Sequence, residues 1–153
     1  MIKINPFLLL TMSIFLAFCQ KEKQSTINPS IELNMNNKIS VKIGSKTFTA
    51  TILDNASSKV FVAQLPLTIN MIELNNNEKY AQLQKNVPIN ASVPARIEAG
   101  DLMMYGVSTL VLFYKGFSTS YSYTKIGKID DVSGLTTALG AGDVKVSFEV
   151  VYE

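Results

Sequence analysis

Strict two-residue alternation is the feature that most narrows what this chain can fold into. In Val144-Lys145-Val146-Ser147-Phe148-Glu149-Val150 every second residue is apolar and those between are polar. Successive side chains of a strand point to opposite faces, so the pattern makes a half-buried strand and not the stripe of a helix. The same period recurs in Ile39, Val41 and Ile43, and again in Phe48, Ala50 and Ile52 among Thr47, Thr49 and Thr51. Gly44-Ser45 lies between these two runs and suits a tight turn, which predicts a hairpin.

Further elements follow along the chain. Asp54 to Ser58 offer several helix N-caps, Val60, Phe61, Gln64 and Leu65 trace one helical face, and Pro66 stops it. "LPLTINMIEL" predicts a strand and Asn75-Asn76-Asn77 a turn. From Gln82 to Gly100, with Pro88 and Pro94, the chain reads as a long irregular loop, a length commonly tied to function. Strands are expected in "AGDLMMYG", "STLVLFYKGF" and "YTKIGKI", and a short helix after Asp130-Asp131, ending at Gly140 or Gly142. With 153 residues, 47% of them hydrophobic, the chain can bury a core as a single domain. About eight strands and two short helices predict a mainly β fold, a closed or nearly closed barrel with helical caps.

The first residues belong to a different regime. Lys3 precedes an apolar run from Phe7 to Phe18, too short to cross a ~30 Å hydrocarbon core comfortably as a permanent helix. It reads as an export signal, residues 1–18. Leu16-Ala17-Phe18-Cys19 resembles a bacterial lipobox, with Phe18 where such motifs usually carry a small residue. The expectation is a protein lipidated at Cys19, exported to the cell envelope and held on a membrane by its acyl chains. Residues 19–37, rich in Lys, Gln, Asn and Ser, read as a solvated tether, and residues 38–153 as the folded domain.

Several function classes drop out on composition. The net charge is +2, with 14 basic and 12 acidic residues and no basic block, and Arg96 is the sole arginine. That leaves little electrostatic footprint for nucleic acid. There is no histidine and Cys19 is the single cysteine, so Cys/His zinc sites and internal disulfides are excluded. The commonest general base is missing as well. Asp130-Asp131 read as turn and helix cap rather than a cation site; no metal and no cofactor is expected, and no catalytic residue is assigned.

In order, "KTFTATILDN", "LPLTINM", "NNNEKY", "AGDLMMYG", "LVLFYKGFSTSYSYTKIGKIDD" and "GLTTALGAGDVKVSFE" resemble the bacterial cyclophilin-like fold proteins over residues 38 to 153. The resemblance implies an eight-stranded closed β-barrel with two short helices and brings no established activity. True cyclophilins are peptidyl-prolyl isomerases that grip the prolyl amide with an arginine, a phenylalanine and a glutamine on one strand. The corresponding "LPLTINMIELNNNEKY" has no arginine, so Arg96 in the long loop would have to serve. The favoured reading is a non-enzymatic module that binds a peptide segment or small ligand; the alternative is an isomerase.

The aromatic stretch "FYKGFSTSYSYTKIGKI", residues 113 to 129, supplies the candidate site. Aromatic rings with polar tips suit a half-wet wall. Tyr105, Phe113, Phe117, Tyr121 and Tyr123 are expected to line a pocket at the barrel rim, with Arg96 at its edge. If Val111 faces the barrel lumen Phe113 does too, leaving Tyr114 with Leu112 on the other face.

Overall fold

The predicted hairpin forms. In the computed structural model, which describes residues 37–151, β1 (Lys38–Ile43) and β2 (Lys46–Ile52) pair antiparallel with Ile43 opposite Lys46. Gly44 turns the chain at φ +59, where a side chain would be strained. Helix α1 (Ala56–Val62) follows, capped by Asn55, whose side chain accepts from the Ser58 amide. Then come β3 (Leu67–Leu74), β4 (Glu78–Gln82), β5 (Asp101–Tyr105), β6 (Thr109–Phe113), β7 (Thr124–Ile129), α2 (Leu135–Leu139) and β8 (Val144–Val150). The eight strands close into a barrel in the order β1-β2-β7-β5-β6-β4-β3-β8, with every pairing antiparallel. The predicted signal, Cys19 and the tether to residue 36 lie outside the described residues.

Alternation decides what fills the lumen. All eight strands contribute to one apolar cluster, among them Val41, Ala50, Met71, Ala81, Leu102, Leu112, Ile126 and Phe148. Phe61 of α1 meets Phe148 edge-on at 5.8 Å, and Leu135 and Leu139 of α2 join the same cluster. The buried residues of α1 are Ser57, Ser58, Phe61 and Val62, earlier in the helix than the face read from the apolar residues alone. The reason is polar: Ser57 donates to the Pro88 carbonyl and Ser58 to the Ile126 carbonyl, so two serines dock the helix.

One stretch of the wall is buried on both sides. The run Leu110–Tyr114 is apolar without interruption, as expected of a strand covered on both faces. Leu110, Leu112 and Tyr114 face the lumen. Val111 and Phe113 do share a face, but it is the outer one, where they join Ile97, Met103 and Tyr123 in a second apolar cluster. The expectation of Phe113 in the lumen is thereby corrected. Its reason is the long loop, which supplies Ile97 as a cover and turns the outer face of β6 into a second core.

Candidate functional site

The outer wall of β3, β4, β6 and β5 is the floor of the site, and register fixes its rows. Leu74, Glu78 and Phe113 lie opposite one another across three strands. Tyr80, Val111 and Met103 form the next row, and Gln82, Thr109 and Tyr105 the one after. Directly opposed residues share a face, so Glu78, Tyr80 and Gln82 point outward while Lys79 and Ala81 point into the lumen. The segment from Phe117 to Tyr123 crosses above this floor. It is pinned at both ends by two-way backbone bonds, Phe117 with Ile97 at 2.9 and 3.1 Å, and Tyr123 with Ser92 at 3.0 Å each way. Between the pins, Ser118, Ser120, Tyr121 and Ser122 are exposed.

Floor and strap enclose a groove of about 620 Å³. Its walls include Leu74, Glu78, Tyr80, Gln82, Tyr105 and Phe117 to Tyr121, with Tyr123 at the back. Four lining rings and Phe113 behind them form one contact series: Tyr121 with Tyr105 at 6.2 Å, Tyr105 with Tyr123 at 5.7 Å, Tyr123 with Phe113 at 5.4 Å, and Phe113 with Phe117 at 5.7 Å. These separations and tilts are those of favourable aromatic pairs. Tyr105 and Tyr121 nevertheless stay 49% and 62% exposed, apolar surface that the fold itself does not cover.

The expected site residues separate into two groups. Tyr105, Phe117, Tyr121 and Tyr123 line the groove together. Phe113 is fully buried and supports Phe117 and Tyr123 from behind. Arg96 is not among the lining residues; it is exposed and pairs with Glu98 at 3.0 Å on the loop.

Of the lining residues that sequence reasoning missed, Glu78 is the one carboxylate. It is 8% exposed, and no hydrogen bond to its carboxyl forms among the described residues. Burial pushes this carboxyl up to about 7, helped by the nearby Glu73. The Tyr123 hydroxyl is pushed up to about 12, first by burial and next by the Glu78 charge. Of the buried side-chain oxygens and nitrogens of the described residues, only Oδ1 of the adjacent Asn77 lacks a partner; the Glu78 carboxyl oxygens keep an opening to the groove. The available signal in the sequence was parity: Glu78 stands two residues before Tyr80 on one strand.

The opposite face of β4 shows what a satisfied charge looks like in this protein. Lys79 is completely buried, ion-paired with Glu73, and donates to the carbonyls of Gly140 and Gly142 at 2.9 and 2.7 Å. Tyr114 donates to the same Glu73 carboxylate, and its ring lies 5.4 Å from the Lys79 nitrogen. Although burial pushes Glu73 up, the bonds from Lys79 and Tyr114 hold it below its ordinary value. No cluster of three or more metal-ligating side chains occurs among the described residues.

Residues 41–149 match the model of a family described as the cyclophilin-like family. No curated protein matches the chain.

Proposed function

Because the chain belongs to the cyclophilin-like family, which brings a barrel and not a reaction, we propose that it is a non-enzymatic binding module whose outer groove holds a peptide segment or small ligand. The observation that carries the reading is the exposed end of the aromatic series. Tyr105 and Tyr121 pack against one another yet stay about half or more open to solvent, beside a groove large enough for several side chains. Groups of that kind gain most when a ligand covers them. Support against isomerase chemistry comes from Arg96, which is exposed, pairs with Glu98 on the loop and does not line the groove. We further propose that the module is exported and held at a membrane through acylation of Cys19, as the lipobox-like segment Leu16–Cys19 suggests.

The test uses the purified protein and a library of short peptides and metabolites, followed through the aromatic resonances of its tyrosines. Binding is expected to move Tyr105 and Tyr121, and Tyr121→Ala is expected to weaken it. A proline-peptide assay is expected to show no rate enhancement; catalysis abolished by Arg96→Ala would overturn the reading. In cells, a fatty-acid analogue is expected to label the protein, and Cys19→Ser to abolish both labelling and membrane retention.

A further inference from the structure

Resting on that reading of the groove, we infer that its occupant is a polypeptide segment presenting a basic side chain, whose ammonium group is received by Glu78 and the tyrosines around it. The groove carries an asymmetry of charge. Glu78 is its one carboxylate, and no lysine or arginine lines it. A carboxylate whose stem is buried and whose oxygens open only into a groove gains from a hydrogen-bond donor or a cation brought to it there. Here no described side chain provides one. The neighbouring cation, Lys79, points to the other face of β4 and is saturated by Glu73 and two carbonyls.

The other groups facing Glu78 are no better placed to answer it. From β3 comes Leu74 on the same face, with Glu73, a second negative charge, behind the wall on the other; from β6 comes Phe113; from the strap comes Tyr123, neutral across the ordinary pH range. Every one of these either repels an anion or leaves it unpaired. A ligand ammonium would supply the missing donors, and the ring face of Tyr80, next to Glu78 on the same face of β4, would add cation–π attraction in a partly desolvated site. A polypeptide fits better than a free amine because the groove continues past Glu78 along the hydroxyl-bearing strap, Ser118 to Ser120, which can accept from and donate to an extended backbone.

The experiment titrates the full-length protein, followed by tyrosine resonances, with acetyl-Gly-Lys-Gly-amide, its norleucine counterpart and butylammonium. At about pH 8.5, where Glu78 is ionised, the lysine peptide is expected to bind at least about tenfold tighter than the norleucine peptide. The preference is expected to shrink at about pH 5.5, where the carboxyl holds its proton. Glu78→Gln is expected to make the two peptides equal while keeping the fold, checked by its circular dichroism spectrum. Equal binding of both peptides to the native protein, or a preference that survives Glu78→Gln, would overturn the inference and leave the binding-module reading standing. Butylammonium bound as tightly as the lysine peptide would overturn the polypeptide occupant. No binding of any probe, with no shift of Tyr105 or Tyr121, would overturn both readings.

Discussion

At the scale of single residues, Glu78 sets an internal cost on the fold. Its carboxyl titrates near 7 instead of 4.5, and about 1.4 kcal/mol attends each tenfold change in proton affinity. Ionising it therefore costs the fold at most about 3 kcal/mol, and less to the extent that groove water reaches its oxygens. The sign follows from the raised value: the stability is fully present below about 4.5 and is lost as pH rises through about 7. Glu78→Gln, which carries no charge to bury, is expected to be more stable than the native protein at about pH 8.5, by up to about 3 kcal/mol, and no more stable at about pH 4. Thermal melts of both proteins at the two pH values check this. Parity with Tyr80 gave the side of β4 on which Glu78 stands, but its burial was not legible in "NNNEKY", which reads as a polar turn running into a strand. The groove that Glu78 lines is completed by the strap, a segment some forty residues further along the sequence. The tyrosines, by contrast, were legible because ring and hydroxyl together mark a half-wet surface wherever the chain goes.

Among elements, the strands announced themselves and the cover did not. β1, β2 and β8 show a two-residue period because one face packs the lumen and the other meets water. Leu110–Tyr114 lacks that period, and the sequence could not say which of its faces was inside. The answer lies in the loop from 83 to 100, whose Ile97 sits over Met103, Val111 and Phe113 with no exposed surface. Ile97→Ala is expected to cost about 2–5 kcal/mol, as truncation of a fully buried aliphatic side chain does. Because Ile97 and Phe117 exchange both backbone bonds, the amides of these two residues are expected to lose hydrogen-exchange protection first, before those of the β1–β2 hairpin. Uniform loss of protection across the barrel would show that the loop is not a separable cover.

For the whole molecule, carboxyls of opposite character shape the response to acid and base. Glu73 is held low, burial notwithstanding, by Lys79 and Tyr114; Asp130 is held low by Lys38 and Thr51, again against burial. Stability from such groups is present above their unfolded values near 4 and disappears as pH falls through the lower folded ones. Glu78 acts in the reverse direction on the alkaline side. The native protein is therefore expected to be most stable on the acid side of neutrality, roughly pH 5–6, with a decline in both directions. Chemical denaturation across the pH range measures it; a maximum at or above about pH 8 would contradict the assignment of an unpaired Glu78. A basic occupant of the groove should flatten the alkaline decline, since it removes the cost of the ionised carboxyl.

The closed ring of strands bears on how an occupant can be held. Many peptide-binding sheets lend an unpaired edge, so that the guest joins as one more strand and its backbone supplies most of the affinity whatever its sequence. Here each of the eight strands already has two neighbours, and no ladder is open for a ninth. A guest lying in the groove must be gripped by side chains from the floor and by the strap alone. Its identity at one or two positions should then matter far more than its length, and the protein should be selective where an open-edged sheet would be permissive.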